Sequence, residues 1–357
     1  MFNLINLSVL LPQPTGISNY ILNLLPYLQP LAPTLLTARK IDGFDCYPVP
    51  DNLTPAEGKI GHLRRLWWTQ FHLPRIYRQL DASLLFSPLP EAPLYSGCHF
   101  VVMVHDLIPL RFPNPKSFLT PYCRYIMPQV LAQAAHIVCN SEATAQDITS
   151  FYGIPAKKIT PIPLAYDASR FRPLASESEV AIPYFLYLGR HDPHKNLSRL
   201  IAAFAQIPSC FECQLWLAGP SDRRYTPQLQ AQVTELGLQE RVKFLNYIPE
   251  AELPQLFNRA VALVFPTLWE GFGIPLLEAM ACGTPAIAAN LGAAPEVVGE
   301  AALLVDPYQI NEIAEAMTIL LQDTQLRSHL SYLGLQQANQ FSWAKTGETT
   351  REILLQI

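Results

Sequence analysis

Residues 267–285 read TLWEGFGIPLLEAMACGTP and place two acidic residues, Glu270 and Glu278, among apolar ones. The apolar run 261–265 that precedes them predicts a buried strand, and Pro275 is typical of the first position of a helix. We therefore expect Glu270 in a loop after the strand and Glu278 in the first turns of the helix. A strand followed by a loop and a helix is the repeating unit of a parallel α/β sheet.

This junction has the composition of a ligand site. In open parallel sheets, strand-to-helix junctions line the crevice that binds ligands, and a helix N-terminus offers N–H groups to an anion. A carboxylate accepts two hydrogen bonds from a vicinal diol, so a ribose or a hexose suits the two glutamates. Alternatively, Glu278 only complements the helix dipole and Glu270 is solvated. Glycines at positions 271 and 273 favour the ligand site.

Short apolar runs of this kind alternate with helical patterns along the chain. The other runs lie at 2–10, 84–86, 99–104, 136–139, 159–162, 184–188, 214–218, 242–245 and 286–288. This alternation predicts parallel sheets with crossover helices. The Pro-, Ser- and Ala-rich stretch 167–183 predicts a linker, and 357 residues suffice for two domains with a core each. We expect an α/β protein with two doubly wound, Rossmann-like domains that face each other across a cleft.

Composition and cysteine usage restrict the protein class. Half of the residues are hydrophobic and 15% are charged, which is typical of a globular α/β protein. The first 38 residues carry no charge, but prolines interrupt them and no basic segment precedes them, so we predict neither a signal peptide nor a membrane-spanning helix. Seven scattered cysteines favour a reducing, cytoplasmic location. The pair Cys210 and Cys213 lacks a second pair at zinc spacing, and we interpret both as buried thiols.

A second candidate site lies in residues 187–204, YLGRHDPHKNLSRLIAAF. The strand leads into Gly189, Arg190 and Lys195, and we expect Asn196 to cap the helix that follows. Two cations beside a helix N-terminus stabilise a diphosphate, most strongly when it departs as the leaving group. An Arg and a Lys five residues apart are commonly a solvated face, but their combination with the acidic motif favours a functional pair.

The segment EGFGIPLLE, followed by AMACGTPAIAANLGAAPEVVGEAALLVDP, resembles the donor site of retaining family 4 glycosyltransferases with the GT-B fold. The resemblance implies that Glu278 binds the ribose of a nucleotide and that Glu270 approaches the transferred sugar. It also implies that Arg190 and Lys195 hold the diphosphate. The donor-binding residues that it implies are Gly16, Gly189, Arg190, Lys195, Gly271, Phe272, Gly273, Ile274 and Glu278.

Weaker agreement with the family runs through VMVHDLIPL, IVCNSEATAQDI and RFRP. It implies that His105 reaches across the cleft towards the donor sugar, so His105, Glu270, Arg190 and Lys195 are the expected catalytic residues. Gly16 occupies the place of a glycine near the phosphates, although Thr15 departs from the family pattern. A His–Asp pair also suits a hydrolase, but no Gly-x-Ser-x-Gly elbow accompanies it. Ser141 at a predicted helix start is expected to do no more than begin that helix.

The expected activity is retaining transfer of a hexose from a nucleotide sugar to a hydroxyl of a glycan or a lipid-linked acceptor. Mannose from GDP-mannose comes first, because the overall likeness is to bacterial mannosyltransferases. Alternatives are transfer of glucose or another hexose from a UDP- or GDP-sugar, a sugar-nucleotide epimerase or hydrolase, and a catalytically silent GT-B subunit that binds a glycan. Because the chain has no Asp-x-Asp motif, we expect no metal ion, and no other cofactor or nucleic acid. The absence of G-x-G-x-x-G after the first strand argues against a dehydrogenase.

The two halves of the chain differ in charge. Residues 1–170 carry 13 Lys and Arg against 10 Asp and Glu, whereas residues 171–357 carry 12 against 19. We expect an acceptor-side domain at 1–168, a donor domain at 169–341, and a helix at 342–357 that packs back on the first domain. Residues 58–80 contain no acid, and their cations and aromatic residues are Lys59, Arg64, Arg65, Arg75, Arg78, Trp67, Trp68 and Phe71. This composition suits peripheral contact with the inner face of a membrane, and it equally suits a core-packed helix with solvated cations.

Overall fold

The computed structural model describes residues 3–10, 16–174 and 182–357. The chain divides into two compact units, Met1–Leu164 with Trp343–Ile357, and Ala165–Ser342. The sequence placed the corresponding borders after residues 168 and 341. Thr15 and residues 175–181 of the predicted linker lie outside the described residues.

The first unit is built on one parallel sheet. Its strands are β1 (Asn3–Asn6), β2 (Thr34–Thr37), β3 (Asp45–Pro48), β4 (Leu84–Ser87), β5 (Phe100–Val104), β6 (His136–Cys139) and β7 (Ile159–Pro161). Within the described residues they lie in the order β3-β2-β1-β4-β5-β6-β7, with Leu4 opposite both Thr34 and Leu85. Successive strands are therefore added first on one side of β1 and then on the other, as in a doubly wound sheet.

Helices cover this sheet. They are α1 (Gly16–Leu28), α2 (Gly58–Phe71), α3 (Leu73–Gln79), α4 (Ile108–Arg111), α5 (Leu119–Pro121), α6 (Met127–Gln133), α7 (Glu142–Tyr152) and, from the end of the chain, α15 (Trp343–Gln356). Helix α15 packs on α1, and a Cβ at Gly347 would lie 2.4 Å from the Cβ of Tyr27. Only glycine allows so close an approach of the two helices.

The second unit repeats the architecture. Its strands are β8 (Tyr184–Leu188), β9 (Gln214–Ala218), β10 (Val242–Leu245), β11 (Ala262–Phe265), β12 (Ala286–Ala289) and β13 (Ala302–Val305). In the described part of the unit their order is β10-β9-β8-β11-β12-β13, and every pair is parallel. The helices are α8 (Leu197–Ala205), α9 (Thr226–Glu235), α10 (Leu253–Arg259), α11 (Ile274–Ala281), α12 (Ala294–Val298), α13 (Ile310–Gln322) and α14 (Thr324–Ala338). The strand order reverses between β8 and β11, so the loops after these two strands flank the crevice.

The predicted apolar runs all correspond to strands, but β2, β3 and β13 were not predicted. β3 (DCYP) is an edge strand with partly exposed residues and lacks a continuous apolar run. β2 (TLLT) and β13 (ALLV) do contain apolar residues, and nothing in their structure explains why their pattern was not recognised. The first strand ends at Asn6 rather than at residue 10, and α11 begins at Ile274, one residue before Pro275. Among the described residues, no helix combines the length and the apolar character that a bilayer span requires.

Two interpretations of single side chains were wrong. Cys210 is exposed, and only Cys213 of that pair is buried. Arg65 is not a surface cation, because its Nε and Nη2 atoms donate to the carboxylate of Glu91 at 2.6 and 2.8 Å and its Nη1 donates to the carbonyl of Leu53 at 2.8 Å. A buried guanidinium needs such partners, and these tie α2 to the loops after β3 and β4.

Candidate active site

The loops that follow β8 and β11 contact each other at the point where the strand order of the second unit reverses. The N–H of Leu268 donates to the carbonyl of His194 at 2.8 Å. The side-chain amide of Asn196 donates to the carbonyl oxygens of Pro266 at 3.0 Å and Pro307 at 2.7 Å. One buried amide therefore joins the loops after β8, β11 and β13.

This role of Asn196 differs from the predicted one. Asn196 is the residue before α8, but its side chain forms no capping bond, and its backbone is left-handed, with φ of 64°. The amide hydrogens instead satisfy carbonyl groups that burial would otherwise leave without partners. The signal that could have revealed this is the residue type, since Asn tolerates the left-handed conformation better than most residues.

The ion pair between Lys195 and Glu270 is the central feature of the site. Lys195 Nζ lies 2.6 Å from Glu270 Oε1, although the two residues are 75 positions apart. The side chains are only 15% and 11% exposed, so water screens their attraction weakly. A cation and a carboxylate that are fixed together at the mouth of a parallel sheet can contact an anionic group and a hydroxyl at the same time.

The backbone around Glu270 leads directly into α11. Gly273 precedes the helix with φ of 103°, a conformation that favours glycine. Phe272 is buried, and its ring packs edge-on against that of Phe341 at 5.9 Å between centroids. The side chain of Phe272 therefore anchors the loop, and only its backbone remains for the predicted contact with a donor. Gly271 and Ile274 lie on either side of this anchor.

Glu278 lies in α11 and is partly buried. No hydrogen bond or ion pair joins its carboxylate to another described residue. Burial, and after it the nearby charge of Glu250, raise the pKa of Glu278 to about 8 against the opposing charge of Arg170. Such a carboxyl group, without a partner of its own, suits the hydroxyl groups of a bound sugar.

Arg190 lies apart from this ion pair. Its side chain is 66% exposed, and its Nε lies 3.1 Å from Oδ2 of Asp192. Asp192 also lies 3.8 Å from the guanidinium of Arg224. The structure therefore pairs Lys195 with Glu270, whereas Arg190 is exposed and pairs with Asp192.

The sequence motifs assign no role to His191, and the structure shows what its side chain contacts. Its ring is buried, Nδ1 lies 2.8 Å from Oγ1 of Thr226, and Nε2 has no hydrogen-bond partner among the described residues. Burial lowers the pKa of His191 against the opposing charges of Asp222 and Asp192, which favours the neutral ring. His191 thus fastens the loop after β8 to the start of α9. In the described ranges, no three His, Cys, Asp or Glu side chains come together as metal ligands.

In the first unit, His105 follows β5 and has a defined tautomer. Its Nε2 lies 3.0 Å from the carbonyl of Pro88, so Nε2 carries the hydrogen and Nδ1 is the acceptor. The ring of Tyr20 packs edge-on against it at 5.1 Å, and burial lowers the pKa of His105 to about 4. Gly16 is the exposed first residue of α1. Ser141 accepts a hydrogen bond from the N–H of Thr144 at 3.0 Å and caps α7, as predicted.

Two family models match successive parts of the chain. Glycosyltransferase Family 4 matches residues 14–170, and Glycosyl transferases group 1 matches residues 175–337. The chain belongs to the family 4 glycosyltransferases of the GT-B type. The resemblance of the chain to family 4 glycosyltransferases with the GT-B fold is thereby confirmed.

Individual proteins agree with the family assignment. The chain is 31% identical over 254 residues to O-antigen chain mannosyltransferase B of Escherichia coli, a match that covers 68% of this chain and 66% of the relative. It is 28% identical over 317 residues to O-antigen chain mannosyltransferase RfbU of Salmonella typhimurium, with 85% of this chain and 86% of the relative covered. The solved structure of Anabaena Alr3699/HepE in complex with UDP and glucose matches with a TM-score of 0.77 at 21% identity, over 100% of both chains. This match confirms the expected fold of two Rossmann-like domains.

Proposed function

We propose that this glycosyltransferase moves a hexose from a nucleotide diphosphate sugar to a hydroxyl of a glycan or lipid-linked acceptor. The observation that carries the proposal is the Lys195–Glu270 ion pair in the loops after β8 and β11. Lys195 offers a positive charge to the diphosphate, and Glu270 offers a carboxylate to the hydroxyl groups of the sugar. Glu278, on the helix that begins next to Glu270, then accepts hydrogen bonds from the ribose diol.

In this proposal the cations replace a metal ion. Negative charge on the diphosphate increases as the bond to the sugar breaks, so a fixed cation stabilises the transition state more than the ground state. Lys195 is already fixed, whereas the exposed Arg190 has the freedom to turn towards the bound diphosphate. The retaining course is proposed from the resemblance of the EGFGIPLLE segment.

Mannose from GDP-mannose is the proposed donor. Support comes from the O-antigen mannosyltransferases, which are similar over most of this chain. A UDP-sugar is the second candidate, because the Anabaena structure of the same fold contains UDP and glucose. The proposed place of action is the cytoplasm, where the thiols stay reduced.

A panel of nucleotide sugars tests the proposal. The melting temperature is measured with GDP-mannose, UDP-glucose, UDP-galactose and GDP alone, because a ligand that binds only the folded state raises it. We expect GDP-mannose to give the largest increase and to be consumed when a glycan acceptor is added. Binding without transfer to any acceptor would favour the catalytically silent alternative. Failure of every nucleotide sugar to stabilise the protein would refute the proposal.

A further inference from the structure

Helix α2 carries an apolar stripe on its solvent side. Ile60, Leu63, Trp67 and Phe71 are all more than half exposed, with 58% for Trp67. Their spacing of three, four and four residues places them on one face. The opposite face of α2 contains the buried residues Gly61, Arg65, Trp68 and Thr69 and contacts the rest of the unit. The stripe is therefore additional to the core-facing surface of the helix.

Cations accompany this stripe. At 100° per residue, Lys59 and Arg64 project on opposite sides of the line through Ile60, Trp67 and Phe71, and both are exposed. Arg75 and Arg78 of α3 are exposed as well, and residues 58–80 contain no acid. The surface therefore combines large apolar side chains with positive charge, which suits a partner that is apolar inside and anionic outside.

A cavity of about 750 Å³ opens beside the stripe. The side chains from α2 and α3 that the argument uses in the cavity wall are Leu63, Arg64, Trp67, Trp68, Arg75 and Ile76. Its walls are thus mostly apolar, with two guanidinium groups among them. An acyl chain with a phosphate group next to it has the matching chemistry.

We propose that the α2 surface, defined as Ile60, Leu63, Trp67 and Phe71 with Lys59, Arg64 and Arg75, binds an anionic lipid bilayer. The apolar stripe enters the boundary between headgroups and acyl chains, and the cations contact the phosphates. A second copy of the chain is a poorer occupant, because a two-fold contact through this surface would place like charges together. Binding to the bilayer does not depend on sugar transfer, so it can fail or succeed independently of the proposed function.

Vesicle sedimentation tests the proposal with the 357-residue chain. We expect binding to phosphatidylglycerol vesicles, weaker binding as salt increases, and recovery in the supernatant with phosphatidylcholine vesicles. Each cation near an anionic surface contributes about 1 kcal/mol, so the double substitution Arg64→Gln and Arg75→Gln should weaken binding about 30-fold. The matched control is Lys116→Gln with Arg124→Gln, two exposed cations of the same unit, which should change binding less than threefold.

The apolar contact has its own test. Trp67→Ser should weaken binding to anionic vesicles about tenfold or more, whereas Tyr125→Ser, at a residue of similar exposure in the same unit, should have little effect. Lipids brominated in the acyl chain should quench tryptophan fluorescence in the native protein and less so in Trp67→Phe. Equal binding to anionic and neutral vesicles, or equal effects of both pairs of variants, would overturn the proposal. So would a concentration-dependent dimer that Trp67→Ser disperses, since the stripe would then be a protein interface.

Discussion

The affinity for a nucleotide sugar should depend on pH through Glu278. Its carboxyl group has a pKa of about 8 in the free protein, so only about one molecule in ten is ionised at pH 7 and about one in a hundred at pH 6. A ribose diol that donates two hydrogen bonds favours the ionised form and therefore lowers this pKa on binding. Donor binding should release a proton near neutral pH.

The size of the effect has two bounds. If only the ionised carboxylate binds, the dissociation constant rises about 50-fold from pH 8 to pH 6, which is the ratio of the ionised fractions. If the neutral carboxyl still forms ordinary hydrogen bonds, the difference from charge-assisted bonds is about 1.4 kcal/mol, or about tenfold. The stability of the free protein depends on pH in the opposite direction. Because the folded state keeps its proton up to pH 8, the contribution of Glu278 falls as pH rises from about 4.5 to 8.

Titration calorimetry with an intact nucleotide sugar measures both quantities, since its diphosphate has no phosphate monoester that titrates near pH 6. Buffers with different ionisation enthalpies report the proton release at pH 7. Glu278→Gln is the matched variant, and it should bind more weakly at pH 8 and lose the pH dependence. An affinity that stays constant within twofold between pH 6 and 8 in the native protein would refute the assignment of Glu278 to the ribose.

Three further predictions concern the cations and the metal. Lys195→Met should lower kcat by about 10²–10³-fold with a smaller change in donor KM, because the charge that Lys195 stabilises develops in the transition state. Lys195→Arg should retain more activity than Lys195→Met. A change in KM alone would show that Lys195 only binds the donor. EDTA should leave the transfer rate unchanged, and a loss that Mg²⁺ restores would identify a metal requirement. Arg65→Met should lower the free energy of unfolding by about 3–5 kcal/mol, because it leaves Glu91 without its partner. The control Arg64→Gln should change the free energy of unfolding by no more than about 0.5 kcal/mol. Equal effects of the two substitutions in thermal or urea unfolding would contradict the buried pair.

Local signals were sufficient for much of the fold. Buried parallel strands need apolar side chains on both faces, and for this reason runs such as 184–188 and 214–218 were recognised as strands. The edge strand β3 is partly exposed and carries no such requirement, and its sequence DCYP did not predict a strand. The cap at Ser141 was also predictable, because a capping side chain bonds to the backbone only three residues away.

The proposed donor-site residues follow from their types and from a family resemblance, but their arrangement depends on the tertiary structure. Lys195 and Glu270 meet only because β8 and β11 lie side by side, and no local pattern reports a contact over 75 positions. The raised pKa of Glu278 likewise comes from burial and from the charge of Glu250, which is 28 positions away in the sequence.

The same limit explains why neighbouring residues of one type differ. Trp67 is exposed and Trp68 is buried, while Arg64 is exposed and Arg65 is paired with Glu91. Composition alone does not distinguish Trp67 from Trp68 or Arg64 from Arg65. Successive helical positions point about 100° apart, so the side of α2 that faces the protein decides which side chains bury and which remain for a partner.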